Sequence, residues 1–274
     1  MYNVIKLNIY IKFQKILYTL YLMKNVRNFY NKKGWKELYD QTLDAKLFED
    51  FRPVARKYIS RCRLRILDHI PKKGGDNILD FASGPIQYKE YLNYSKKFLF
   101  RHCVDFSTDA IKMAKKKIGN HGKYYCNDFN KIKFKENFFD CTISLHTIYH
   151  INKKLQKKTI LKMLKSAKKN SNIIIVYSNP NTLINRFKKI LNYKKKKQKI
   201  YFYCHENKWW DQFSQLADVK IKPWRSFASQ HQKILIPNNK AGSVIFDLLF
   251  YFENKFPNFF VKYFQYCLIV LRKK

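Results

Sequence analysis

The strongest constraint on this chain lies between Asn77 and Tyr177, where short unbroken apolar runs alternate with segments of helical periodicity. Asn77–Phe81 reads as a short buried strand, and Gln87–Tyr94 as the start of a helix. Phe98–Val104 is a second strand, ending at Asp105. Ser107 follows as a cap for a helix over Thr108–Ile118, with Asp109 favourable in its first turn. Lys123–Cys126 and Phe139–Ser144 are the third and fourth strands, Lys154–Lys169 a helix, and Asn172–Tyr177 the fifth strand. A strand that is apolar along its whole length has no side to give to water. The alternation therefore predicts a parallel sheet with helices on both faces.

The flanks read differently. From Met23 to Ile70 the pattern is helical, and within Phe48–Ile70 the residues Phe51, Val54, Ala55, Tyr58, Ile59, Cys62, Ile66 and Leu67 form one stripe. PKKGGD at Pro71–Asp76 breaks that run. In the last third, Trp209–Leu216 reads as helix and Val219–Phe227 as strand. Ala241–Phe264 holds helical segments interrupted at Pro257, and Tyr266–Leu271 is a final strand. The run YKKKKQK at Tyr193–Lys199 reads as a solvated loop.

Charge and cysteine content narrow the classes of function. The formal charge of +37 favours anionic partners: nucleic acid, an anionic membrane surface or an anionic substrate. Lys far outnumbers Arg, and Asn, Ile, Phe and Tyr are also frequent, a bias that A/T-rich codons produce without selection for a phosphate-reading surface. The six cysteines are scattered, with no C-x-x-C pair and no Cys/His cluster at zinc spacing, so no metal site is predicted. Cys103 and Cys141 fall in strand-like apolar runs, as buried thiols of a cytoplasmic protein would. The amino-terminal stretch to Met23 is apolar but interrupted by Lys6, Lys12 and Lys15, and its longest uncharged run, Ile16–Met23, is too short to span a bilayer. It reads either as a basic helix on a membrane surface or as a non-native extension ahead of an alternative start at Met23.

In an open parallel sheet, ligands bind beyond the carboxyl ends of the strands, at the point where strand order reverses. The loop leaving the first strand is Asp80-Phe81-Ala82-Ser83-Gly84-Pro85-Ile86, whose small residues Ala82, Ser83 and Gly84 let a ligand approach the backbone. At the end of the second strand stands Asp105, a carboxylate able to accept both hydroxyls of a ribose, followed by Phe106. After the third strand, Asp128 can accept from an adenine amino group while Phe129 covers the ring. An acid ending one strand is often a cap; a series at successive strand ends is a stronger signal.

Taken in order, NILDFASGPIQY, RHCVDFSTDAIKMAKKK, YYCNDFNKI and FDCTISLHTIYHI resemble the successive motifs of class I S-adenosylmethionine-dependent methyltransferases of the type 11 group, over about Gly75–Pro180. The resemblance implies a Rossmann-like α/β fold: a mostly parallel seven-stranded sheet, helices on both faces, an antiparallel last strand and an N-terminal helical lid. It implies an extension and lid over residues 1–70 and a methyltransferase domain over 71–274, with an insertion at 228–264 between the last two strands. S-adenosylmethionine is the implied cofactor. Asp80 and Gly84 then match the turn beside its methionine moiety, Asp105 the ribose-binding acid and Asp128 the adenine-reading acid. Ala82 and Ile86 stand where the first and third glycines of D-x-G-x-G-x-G are common. Ile86 leaves no flat surface for a pyrophosphate, which argues against a dinucleotide, and no G-K-[ST] is present for a nucleoside triphosphate.

In that class the segment Ser144–His150 borders the transferred methyl group. Ser144 falls at the cofactor, and His146 or His150, four apart, is a candidate general base because imidazole titrates near neutrality. Tyr149, Tyr30 and Arg52 are candidate substrate contacts, the last two through the resemblance of FYNKKGW and Phe51-Arg52 to the lid. His205, Trp209, Trp210 and His231 either line an acceptor pocket or belong to an aromatic core, the safer reading. The expected acceptor is an oxygen or nitrogen of a small molecule, a sugar or a lipid-linked glycan, with peripheral membrane contact suggested by the aromatic, basic stretch Phe246–Lys274. The rivals are an RNA methyltransferase, supported by charge but by no appended RNA-binding module, and a degenerate cofactor-binding protein without catalysis.

Overall fold

The structure is a computed structural model that describes residues 21–38, 41–192 and 200–274. Residues 1–20 of the amino-terminal stretch and the Tyr193–Lys199 run, both read above, lie outside the described residues.

Seven strands form one sheet: β1 (Gly75–Phe81), β2 (Phe98–Asp105), β3 (Gly122–Cys126), β4 (Phe139–Leu145), β5 (Ala167–Ser178), β6 (Ala217–Arg225) and β7 (Tyr266–Lys273). Their spatial order is β3-β2-β1-β4-β5-β7-β6. The first five are mutually parallel, and β7 runs antiparallel to both β5 and β6. The order reverses between β1 and β4, so the carboxyl ends of β1, β2 and β4 open on a common crevice.

The apolar runs behave as their composition dictates. Along β5, Ile173 and Ile175 join one buried cluster with Leu79 and Phe139. Ile174 and Val176 join another, on the opposite face, with Ile78 and Cys141. Period-two geometry sends neighbouring side chains to opposite faces, so a strand covered on both sides must be apolar throughout. Ser107 caps the helix Thr108–Ile118, its hydroxyl accepting from the amide of Ala110 at 3.4 Å. Cys103 and Cys141 are buried, unpaired thiols.

The amino-terminal flank departs from the single helical pattern. Residues 21–29 are helical and pass into a π-helical turn at Tyr30–Gly34; two-residue strands at Glu37–Leu38 and Gln41–Thr42 then pair antiparallel. Thr42 starts a new helix, Leu43–Phe48, by accepting from the amide of Ala45. The stripe read across Phe48–Ile70 is also broken. Glu49 is extended, Arg52 has ψ 140°, and the helix begins only at Pro53, since the residue before a proline is driven out of the helical region. That helix, Pro53–Leu64, ends in a 3₁₀ turn over Arg65–His69. The helix expected at Trp209–Leu216 is instead a 3₁₀ segment, Asn207–Phe213. Helices Ser229–Leu235, Lys240–Lys255 and Pro257–Tyr263 fill the connection between β6 and β7. Among the described residues no helix is long and apolar enough to cross a membrane.

Candidate active site

A cavity of about 490 Å³ occupies the crevice. Its floor is the turn after β1, contributing Asp80, Ala82, Ser83, Gly84 and Pro85, with Asp105 and Phe106 from the end of β2. The end of β4 supplies Leu145, His146 and Thr147, then Tyr149 and His150. Val26, Tyr30, Trp35, Asp44, Phe48 and Glu49 close it from the amino-terminal side, and Trp224, Arg225 and Tyr266 from the β6–β7 side.

The turn keeps the backbone of a glycine-rich loop without its glycines. Ala82, Gly84 and Ile86 have φ of +55°, +54° and +50°. His146, on the opposite wall, has φ +58°. The other non-glycine residues with positive φ among the described residues are all asparagines, which tolerate it. Ala82, Ile86 and His146 do not, and each costs roughly 1–3 kcal/mol of strain that the surroundings must sustain. Two of these three, Ala82 and His146, line the cavity, and Ile86 lies just behind the turn. Ile86 withstands it because its side chain is buried among Tyr91, Cys103 and Ala114 and its carbonyl accepts from Lys117 Nζ at 2.8 Å.

Asp105 is held by two amides. Its Oδ2 accepts from Gly84 N at 3.0 Å and its Oδ1 from Ser107 N at 2.9 Å. Burial nevertheless pushes its pKa up to about 6, the two amides only partly opposing this. Over the turn, a Cβ added to Gly84 would lie 3.1 Å from the Trp35 ring. Trp35 lines the cavity, and its Nε1 is buried without a hydrogen-bond partner. Tyr30 donates its hydroxyl to Asp44 Oδ1 at 3.3 Å, and its ring meets Trp35 at 5.0 Å. Burial also raises Asp44 to about 6.

The two histidines are held differently. His150 Nδ1 lies 2.7 Å from the carbonyl of Tyr201, which accepts only, so Nδ1 carries the proton and Nε2 the lone pair. Burial draws its pKa down to about 4. His146 Nδ1 meets the Tyr149 hydroxyl at 2.9 Å, and its ring packs on Trp224 (4.7 Å) and Tyr266 (5.0 Å). Burial, followed by the nearby Arg225, lowers it well below the usual histidine range. Both rings are therefore neutral at pH 7, able to accept a proton but unable to donate one as imidazolium.

Several expected residues stand elsewhere. Phe129 is buried in the core against Phe81 (4.5 Å) and cannot cover an adenine in the cavity. Asp128 is exposed, accepts from Asn130 N at 2.9 Å as a turn cap, and is not part of the cavity wall. Ser144 is buried with no partner for its hydroxyl, one residue short of the wall. Arg52 is outside the wall too: it grips Asp50 at 2.8 Å and the carbonyls of Ile236 and Gln232 at 2.7 and 3.0 Å, tying the chain ahead of Pro53 to the β6–β7 connection. Asp80 lines the cavity, but Arg101 Nε, fully buried on β2, binds its carboxylate at 3.0 Å. Trp210 is core, His205 stacks on Trp209 at 4.2 Å, and none of these three, nor His231, lines the cavity.

Sequence reasoning missed the β6 side. Arg225 Nη1 binds Glu49 Oε1 and Arg63 Nη2 binds Glu49 Oε2, both at 2.6 Å, so one buried carboxylate bridges two guanidinium groups. Against burial, the two cations hold Glu49 below the usual carboxylate range. Trp224 and Arg225 end a strand parallel to β5, so the strand-end rule that found Asp105 also points to them.

Residues 79–175 match the family model described as a methyltransferase domain. No curated protein sequence matches the chain. Among solved structures, a S-adenosylmethionine-dependent methyltransferase from Archaeoglobus fulgidus superposes with a TM-score of 0.54 at 16% identity, over 80% of this chain and 94% of that one. A DhpI–SAH complex gives 0.56 at 10% identity over 92% and 97%. A geranyl diphosphate methyltransferase solved with its diphosphate and sinefungin gives 0.52 at 12% identity over 78% of each chain. The fold is the class I, Rossmann-like methyltransferase fold, with the mostly parallel seven-stranded sheet and antiparallel last strand. Residues 79–175 thus match a methyltransferase domain, and they lie within a chain that has the fold of S-adenosylmethionine-dependent methyltransferases.

Proposed function

We propose that the protein moves a methyl group from S-adenosylmethionine to an oxygen or nitrogen of a small-molecule acceptor, sugars and lipid-linked glycans included. One observation carries this reading: a single cavity runs from the Gly84–Asp105 pair to His146 and His150. The floor fits a nucleoside sulfonium, because Ala82, Ser83 and Gly84 give the turn only small residues and Asp105 presents a fixed carboxylate at its edge. When bound, the cofactor supplies an electrophilic methyl carbon.

The chain's own residues do the rest. Asp105 accepts from the ribose hydroxyls, while Tyr30 and Trp35 act as a lid over the turn and exclude water. The acceptor rests among Tyr149, Trp224 and Tyr266. His150, proton on Nδ1 and lone pair on Nε2, takes a proton from the acceptor as transfer proceeds. His146 and Tyr149 orient one another across 2.9 Å. Most of the acceleration comes from alignment, since the reaction needs the acceptor in line with the methyl carbon. The neighbour solved with geranyl diphosphate accepts a small molecule on the same fold, which favours a small acceptor here.

Titration calorimetry with S-adenosylmethionine and S-adenosylhomocysteine tests the donor. Tritium transfer from labelled cofactor into small-molecule, lipid and RNA fractions of a cell extract tests the acceptor. Label in the small-molecule or lipid fraction is the expected result; label confined to RNA, or no cofactor binding, would overturn the reading.

A further inference from the structure

The helix Lys240–Lys255 is apolar on two opposite faces. Its inner face, with Phe246 and Glu253 buried, packs on the helix Pro53–Leu64. Val244, Leu248, Tyr251 and Phe252 fall at i, i+4, i+7 and i+8, a second stripe that points to solvent. Phe256 and Phe259 extend it onto the next helix, Phe256 stacking on Phe252 at 6.1 Å. The exposures are large for such residues: 57% for Val244, 50% for Leu248, 53% for Tyr251 and 49% for Phe256. A helix apolar all round is normally buried all round, and contiguous exposed apolar surface marks a contact site.

Charge selects the partner. The segment from Lys240 to Tyr263 has two acids, one buried and one neutralised by ion pairs. Glu253 is fully buried on Tyr58 and Ser226, and Asp247 is paired with Lys57 at 2.9 Å and Arg61 at 3.0 Å. The cations Lys240, Lys255 and Lys262 flank the stripe, and Lys255 Nζ sits 5.5 Å from the Tyr251 ring and 5.7 Å from that of Phe256. An apolar stripe about 12 Å long on this helix, at 1.5 Å per residue, with aromatic rings and lysines at its border, has the chemistry of a helix lying in the headgroup layer. A protein partner's apolar patch would not need the lysines; an anionic bilayer uses both.

We propose that this outer face docks the protein on an anionic lipid bilayer. The inference does not depend on how the cavity is read. Its test is co-sedimentation of the full chain with phosphatidylcholine vesicles, with and without phosphatidylglycerol. Partition is expected onto the mixed vesicles, weakened by salt and at least about tenfold poorer on phosphatidylcholine alone. Leu248→Asp combined with Phe252→Asp should reduce it at least about tenfold while leaving the melting temperature and S-adenosylhomocysteine affinity unchanged, both side chains being exposed and outside the cavity. Lys240→Glu with Lys255→Glu should abolish the preference for phosphatidylglycerol. Absence of partition by the unaltered chain would overturn the proposal. So would equal partition by the Leu248/Phe252 variant, or a dimer that this variant dissociates with no binding to vesicles, which would give the face to a second copy of the chain.

Discussion

The carboxylate of Asp105 accepts the amide of Gly84 at 3.0 Å, joining the end of β2 to the turn that leaves β1. Asp105→Asn replaces an acceptor-only group by one that presents a donor to an amide or to a ribose hydroxyl. S-adenosylhomocysteine should bind it at least about tenfold more weakly, the loss of one charged hydrogen bond. Unchanged affinity by calorimetry would remove Asp105 from the cofactor site.

The same carboxyl sets a pH dependence. Its pKa rises from 3.8 to about 6 on folding because burial disfavours the charge. The folded chain therefore holds this proton more tightly than the unfolded chain, and the associated stability is present below pH 4 and lost as pH rises to about 6. Cofactor binding has the opposite trend, because hydroxyls donate to the ionised form. Affinity for S-adenosylhomocysteine should be about tenfold weaker at pH 5 than at pH 7, with proton release on binding, measurable as a buffer-dependent heat. His150, at about 4, stays neutral across that window and does not mask the effect.

Ala82 and Ile86 occupy the same backbone conformation but differ in what their side chains hold. Ala82→Gly relieves strain of about 1 kcal/mol at the cost of a similar unfolded-state entropy, so the stability measured in urea should change by less than about 1 kcal/mol. Ile86→Gly removes a side chain that is 1% exposed and should cost about 2 kcal/mol or more despite the same relief. Equal effects at both positions would show that strain, not packing, dominates the turn.

His150 makes a spectroscopic prediction that needs no acceptor. Nitrogen NMR should find it neutral at pH 6 with the proton on Nδ1, since Tyr201 O accepts there at 2.7 Å. A proton on Nε2 would disqualify it as the base.

Legibility in the sequence followed the physics of each signal. The strands were plain because burial on two faces leaves runs such as NIIIVY, which β5 extends by Ala167–Ser171 at its start and Ser178 at its end. Asp105 was readable because an acid ending a buried strand is conspicuous. Phe129 and Ser144 obeyed the same positional logic, but one residue decides whether a side chain faces the cavity or the core, and spacing does not resolve that. Arg225 was hidden by its partner: Glu49 is 176 residues away, and only the folded chain brings the two within 2.6 Å. The short strands at Glu37–Leu38 and Gln41–Thr42 were missed because pairs of two residues carry no periodicity.

The buried contact between Asp80 and Arg101 has a consequence for descent. Losing either partner strands an uncompensated charge beneath the turn after β1, a loss of about 3–5 kcal/mol and a large share of a typical domain's stability. Replacing both with apolar residues is tolerable, so each single step away from the pair is costlier than the two together. Among relatives of this chain the two positions should change together or not at all. Arg101, four residues before Asp105, then becomes a marker for tracing relatives of this chain, independent of the glycine spacing, which here reads Ala82, Gly84 and Ile86.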